Sequence, residues 1–153
     1  MAANIIFKEA MSLIPTSVAI VWLTSDQGQI SGCTISSFIS VSVIENDEEV
    51  AFVLRNNSRT GQSIKSSQNF KISILSREQF EIASVFSQGL QIIDLNLALQ
   101  EYPMWHENSV CEFSLRMKQE IVLSHSTVFL AGVASFISRP HLKPLIYSAR
   151  EYF

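Results

Sequence analysis

Two short polar stretches set among apolar residues hold the side chains with chemical potential in this chain. They are Ser31-Gly32-Cys33-Thr34-Ile35-Ser36-Ser37-Phe38-Ile39-Ser40-Val41-Ser42 and Leu54-Arg55-Asn56-Asn57-Ser58-Arg59-Thr60-Gly61-Gln62-Ser63-Ile64. In the first, the hydroxyls of Thr34, Ser36, Ser37, Ser40 and Ser42 are interleaved with Ile, Phe and Val side chains that favour burial, and a buried hydroxyl requires a hydrogen-bond partner. A polar ligand would supply one. In the second, Ser58, Arg59 and Thr60 stand where a strand ends and a helix begins. Two hydroxyls, a guanidinium and unpaired helix amides can converge there on an anion. Plainer roles fit the same residues. Thr34 to Ser42 also reads as the wet face of an amphipathic strand, whose Ser36-Ser37-Phe38 break marks a bulge only if something must be aimed there. Ser58-Arg59-Thr60 also reads as an ordinary helix cap.

The elements that must position these stretches follow from periodicity and punctuation. Ile6, Ala10, Leu13 and Ile14 form a helical stripe over Ile5 to Ile14, stopped by Pro15. Ser17 to Leu23 is rich in branched residues and runs into Ser25-Asp26-Gln27-Gly28, where glycine provides the positive φ of a tight hairpin. Gln29 to Val43 continues as one long strand, Glu45 to Glu49 makes an acidic turn, and Val50 to Leu54 returns. A short helix over Thr60 to Ser67 with Ile64 facing inward precedes the strand Phe70 to Leu75. Ser76-Arg77-Glu78-Gln79 has the form of a capping box, so a helix to about Phe86 follows. Gln91 to Gln100 fits a strand by the alternation of Ile93, Leu95, Leu97 and Leu99, and a helix by its composition. Val110 to Val122, Ser126 to Ile137 and Pro144 to Tyr147 supply the last of six or seven strands. The result is a mainly β chain, a barrel with helices at its ends.

Bulk properties narrow the function. A chain of 153 residues lies near the usual size of one domain and can bury about 70% of its unfolded surface without a metal or disulfide. A hydrophobic content of 47% against 16% charged residues points to apolar surface covered by another subunit. The net charge of -3 argues against a nucleic-acid partner, which leaves a basic stripe. The longest unbroken apolar run, Val18 to Leu23, is far short of the roughly 20 residues of a membrane span. Lys8 and Glu9 interrupt the N-terminal segment, which argues against a secretory signal and for the cytoplasm. Cys33 and Cys111 lack C-x-x-C spacing and read as small core side chains, and His106, His125 and His141 form no metal-binding pair. No strand is followed by G-x-G-x-x-G, and neither a triad nor a paired-carboxylate motif is present.

A sequence of motifs runs through the whole chain in order: Phe7-Lys8-Glu9-Ala10-Met11 leading to Pro15-Thr16, T-x-S-S-F-x-S-V-S from Thr34 to Ser42, S-x-T from Ser58 to Thr60, Phe70-Lys71-Ile72-Ser73-Ile74-Leu75, and Pro144-Leu145-Ile146-Tyr147. In these the chain resembles the short flavin reductases of the FMN-binding split-barrel fold, reductase components of two-component monooxygenases. The resemblance implies a single domain over 1–153, an antiparallel Greek-key split barrel, and a homodimer. It implies FMN or FAD, reduced by NADH or NADPH and passed on to a monooxygenase. Ser58 and Thr60 would hold the flavin phosphate with Arg59 supporting its charge, while Asn57, Thr34, Ser36, Ser37 and Phe38 would line the ribityl chain and ring. Hydride transfer to flavin N5 needs positioning rather than a nucleophile.

The family's usual Gly-Asp-His before T-hydrophobic-F is altered: Thr127-Val128-Phe129 follows Ser126, with His125 one place earlier. One step in a regular strand turns a side chain to the opposite face. Either a bulge returns His125, or Ser126 takes its place beside the nicotinamide, or the contact is lost. Loss of the contact would leave a flavin- or haem-binding protein without reductase activity. A dimerisation module with no ligand is the remaining alternative.

Overall fold

A computed structural model of the chain describes residues 2–153. Its centre is a seven-stranded antiparallel sheet in the order β3-β2-β6-β7-β8-β5-β4. The strands are β2 (Ala19–Thr24), β3 (Ile30–Ile35), β4 (Ile39–Ile44), β5 (Asp47–Arg55), β6 (Asn69–Ile74), β7 (Cys111–Val122) and β8 (Ser126–Ser138). Three short strands, β1 (Thr16–Ser17), β9 (Ile146–Ser148) and β10 (Glu151–Tyr152), make a second sheet. Helices α1 (Ala2–Ser12), α2 (Arg59–Ser67), α3 (Phe80–Ser87) and α4 (Ile92–Leu99) complete the chain.

The apolar run of β2 has its explanation in burial on both faces, a pattern that leaves no polar side. Ala19, Val21 and Leu23 point into the interior of the curled sheet with Phe52, Ile64, Phe70, Ile72, Leu115 and Phe129. Val18, Ile20 and Trp22 point the other way, under Ile82, Ala83 and Phe86 of α3, Leu95 and Leu99 of α4, and Trp105. Phe52 stacks on Phe129 at 5.1 Å between ring centroids, an offset pairing that adds to plain area burial. On the outer face the carboxylate of Glu112 is buried and therefore must be paired. Lys71 Nζ donates to it at 2.7 Å and His106 Nδ1 at 2.9 Å. Both cationic-capable side chains lie against the Trp22 ring, so the network ties the one-turn helix Trp105–Asn108 to the sheet.

Where six or seven strands were expected, the described residues form ten, three of them in the second sheet; three further places differ from the sequence-based reading or settle an alternative it left open. The expected long strand from Gln29 to Val43 is two strands, interrupted at Ser36–Phe38, and β3 and β4 end on opposite edges of the sheet. Gln91 to Gln100 is helical, its alternating leucines reading as a 3.6-residue stripe on which Leu95 and Leu99 are buried. The stripe of α1 is not buried: Ile6 and Leu13 are both more than 60% exposed, at 65% and 68%. Elsewhere the boundaries agree within a few residues. Gly28 has φ +77 in the β2–β3 turn, and Gln79 Oε1 accepts from the Ser76 amide at 3.0 Å ahead of α3.

Gly32 in β3 is closely approached by both β2 and α3. A Cβ there would lie 2.8 Å from the Val21 carbonyl oxygen and 2.9 Å from Phe86 Cε1. Gly32→Ala therefore forces β3 away from β2 and α3 and is expected to destabilise the fold by about 1–3 kcal/mol, read as a lowered midpoint in urea unfolding.

Candidate active site

The N-terminus of α2 opens onto a hollow of about 680 Å³. Its placement follows from the strand break. With β4 starting only at Ile39, the β5 edge has no strand partner at Val53, and Ser37 stands in for one. The Ser37 hydroxyl accepts from the Val53 amide at 3.0 Å and donates to its carbonyl at 3.2 Å. A side chain ends the ladder, as short hydroxyl residues can, and the gap between β3 and β5 stays open.

Ser58 is the N-cap of α2, extended at φ -66, and its hydroxyl accepts from the Gly61 amide at 3.1 Å. The first amides of any helix, here those of Arg59 and Thr60, have no partner inside it, and with the helix dipole they favour an anion. Thr60 is buried at 5% exposure and lines the hollow together with Ser58 and Asn57. Ile64, fully buried beneath, anchors the helix in the sheet interior. Arg59 is exposed, and its Nη2 donates to the Gly89 and Leu90 carbonyls at 2.6 Å and 2.8 Å. It pins the α3–α4 connection as the far wall of the hollow. Asn96 holds the same wall to β3, pairing with both the amide and the carbonyl of Ile30 at 2.8 Å.

Of the residues expected at the site, Thr34, Ser36, Ser37, Asn57, Ser58, Arg59 and Thr60 come together around this one hollow. The Thr34 hydroxyl is turned to α3, donating to the Ala83 carbonyl at 2.7 Å. Phe38 is not on the hollow; it packs into the sheet interior, 5.5 Å from the Phe113 ring. His125 and Ser126 do not border it either. His125 is exposed in the β7–β8 turn, its carbonyl bonded to the Asn56 amide at 3.2 Å, and β8 begins at Ser126 with no bulge near that end.

Sequence reasoning missed Cys33, Phe86, Leu90 and Ile92 on the lining. Cys33 was legible as a buried strand residue, but its position beside Ser58 and Thr60 is a product of the fold. Burial pushes the Cys33 thiol up from its ordinary range, partly offset by hydrogen bonds with the Thr60 and Ser58 hydroxyls. The thiol is thus protonated at neutral pH. The α3–α4 wall was obscured because Gln91 to Gln100 fitted two periods; Gly89, at φ +65, is its one local signal. The hollow combines an anion cradle, a polar rim and apolar side chains from Phe86, Leu54 and Ile35. That suits a flat, largely apolar ring carrying a phosphorylated polar chain.

Known proteins resemble the chain over most of its length. The pattern of the flavin reductase like domain matches residues 11–153. The NADH-dependent flavin reductase StyB of Pseudomonas fluorescens is 24% identical over 162 aligned positions, covering 91% of this chain and 89% of the relative. Among solved structures, the NADH:FAD oxidoreductase SgcE6 of Streptomyces globisporus superposes with a TM-score of 0.84 at 17% identity, over 98% of this chain and 92% of that one. The styrene monooxygenase flavin reductase of Pseudomonas putida S12 superposes at 0.80 with 20% identity, over 96% and 95%. The curled seven-stranded sheet is thus the flavin reductase split barrel, and the chain belongs to the flavin reductase like domain family.

Proposed function

We propose that the chain is an NAD(P)H-dependent flavin reductase that binds FMN or FAD in the hollow at the α2 N-terminus and uses NADH or NADPH as hydride donor. One observation carries the reading: the residues that make an anion cradle, Ser58, Thr60 and the leading α2 amides, also border a cavity of about 680 Å³ with apolar side chains. The amides of Arg59 and Thr60 and the hydroxyls of Ser58 and Thr60 would hold the flavin phosphate. Asn57, Ser36 and Ser37 line the ribityl chain. Phe86 and Leu54 flank the ring. When bound, the flavin supplies the hydride acceptor at N5.

The chain's own contribution is to orient and to exclude water. The Arg59 and Asn96 bonds fix the wall facing the cradle, so positioning rather than a catalytic acid or base supplies the rate. Backbone amides along the hollow would supply donors to the negative charge of a reduced ring. His125 or Ser126 contacts the nicotinamide only through a rearrangement of the β7–β8 turn or from a second subunit. The whole chain acts as one domain, in a cytoplasmic homodimer that delivers reduced flavin to a monooxygenase. The apolar side chains left exposed on α1 and β4, Val43 among them at 83%, support the dimer. A second reading, a flavin- or haem-binding protein without NAD(P)H turnover, is favoured by the position of His125 off the hollow.

Purified protein with added FMN or FAD is expected to oxidise NADH or NADPH with saturation in both substrates, followed at 340 nm. A coloured, ligand-loaded protein with no turnover would instead establish the second reading. Thr60→Ala should raise the FMN dissociation constant about tenfold, in line with one lost hydrogen bond to a charged group, while phosphate-free riboflavin binds as before. Iodoacetamide should modify Cys33 slowly at pH 7 and faster as pH rises past the ordinary thiol range of about 8.5, because the reactive thiolate forms only there; bound flavin should slow it further.

A further inference from the structure

The connection between β5 and α2 is a tight turn, Arg55 to Ser58, closed by the Ser58 amide on the Arg55 carbonyl at 2.9 Å. Its residues face two ways: Arg55, Asn57 and Ser58 border the hollow, and Asn56 does not. An asparagine in a turn ordinarily bonds to backbone close to itself. Asn56 instead reaches residues 67 and 71 positions further along the chain. Its Nδ2 donates to the Leu123 carbonyl at 2.9 Å, its Oδ1 accepts from the Thr127 hydroxyl at 2.9 Å, and its backbone amide donates to the His125 carbonyl at 3.2 Å. A carbonyl can only accept, so the Leu123 bond fixes which way the carboxamide faces.

The place of this clamp follows from where the sheet ends. The β5–β8 ladder runs to the pair Arg55 and Ser126, and beyond it the chain turns away into α2. The three Asn56 bonds continue the attachment past the last ladder pair. Thr127 is buried at 2% exposure, and a hydroxyl so buried needs a partner. Among the described residues Asn56 is that partner. Helix α2 is thus fixed at two points: Ile64 holds it in the sheet interior, and Asn56 holds the turn that leads into its N-terminus.

We infer that Asn56 and Thr127 are positioning residues for the anion cradle, setting where Asn57, the Ser58 cap and the leading α2 amides stand in the hollow. The inference rests on the flavin reading above. An anion held by several donors at once is sensitive to their placement, because hydrogen bonds weaken steeply with misalignment. A turn released from β8 loses that convergence, while Phe86, Leu54 and Ile35 keep their places on the hollow. The clamp therefore governs affinity for the phosphate and not for the ring, through a hydroxyl that borders no part of the hollow.

Titration calorimetry of the full chain with FMN and with phosphate-free riboflavin tests this in Asn56→Ala, Thr127→Val and Thr127→Ser. Valine keeps the branched β-carbon of Thr127 and removes its donor; serine keeps the donor. Asn56→Ala and Thr127→Val are each expected to weaken FMN about three- to tenfold, the range of one lost hydrogen bond, with riboflavin unchanged. Thr127→Ser should bind FMN as the unaltered chain does, and the double variant Asn56→Ala/Thr127→Val should bind it no more weakly than Asn56→Ala, because the two residues share one bond. Asn56 is exposed, so Asn56→Ala remains a test should Thr127→Val not fold. Unchanged FMN binding in either single variant, or equal losses for FMN and riboflavin, would overturn the inference and leave the flavin reading intact. So would weakening by Thr127→Ser or additive losses in the double variant, which would assign the effect to packing. Failure of the unaltered chain to bind FMN and FAD alike would overturn both.

Discussion

The site depends on a strand that stops. From Ile30 the chain runs along β2, and a continuation through Ser36 would have carried a hydrogen-bonded edge forward with no opening beside it. Instead the chain leaves the β2 edge after Ile35, crosses to the other side of the curled sheet, and resumes along β5 at Ile39. The unpaired Val53 amide and carbonyl that this leaves are met by the Ser37 hydroxyl. An edge that would otherwise recruit another strand is closed by a side chain too small to fill the gap. The resulting hollow is therefore a consequence of ladder termination, and its rim is polar because a hydroxyl ends the ladder.

Around that gap the molecule uses two cores for two purposes. The interior core, built on Phe52, Phe129 and Ile64, anchors α2 so that its N-terminus is directed at the opening. The outer core, built on Trp22, Phe86 and Trp105, fixes α3 and α4 as the opposite wall. β2 belongs to both. Arg59 and Asn96 join the walls by hydrogen bonds to backbone rather than by packing, which holds geometry without narrowing the space between. The Lys71–Glu112–His106 network secures the outer core from the solvent side, where a buried carboxylate without partners would be costly.

Arg59 shows how the fold can give a motif residue a second task. Between two hydroxyl residues at a helix start it reads as an anion's counter-charge. In the fold one of its nitrogens is a strut under the α3–α4 connection, and among the described residues the other guanidinium nitrogens make no bond to protein. Phe38 is the converse case. It sits in the middle of a hydroxyl-rich run, yet its side chain belongs to the interior beside Phe113, because the break at Ser36–Phe38 resets which face each residue presents.

The strands with branched runs, the Gly28 turn, the capped start of α2 with Ile64 beneath it, and the hydroxyls of Thr34 to Ser37 with Ser58 and Thr60 were determined by the sequence itself. Each is a local matter of backbone preference, side-chain period or capping, readable within a few residues. Tertiary structure alone decided that β3 and β4 part to opposite edges, that α4 is a helix, and that His125 lies off the hollow. It alone decided that the α3–α4 connection faces α2 across a cavity. Those outcomes depend on contacts between residues tens of positions apart, Arg59 with Gly89 and Asn96 with Ile30 among them. No local propensity encodes such pairs; they form only once the sheet has curled and brought its distant edges within reach.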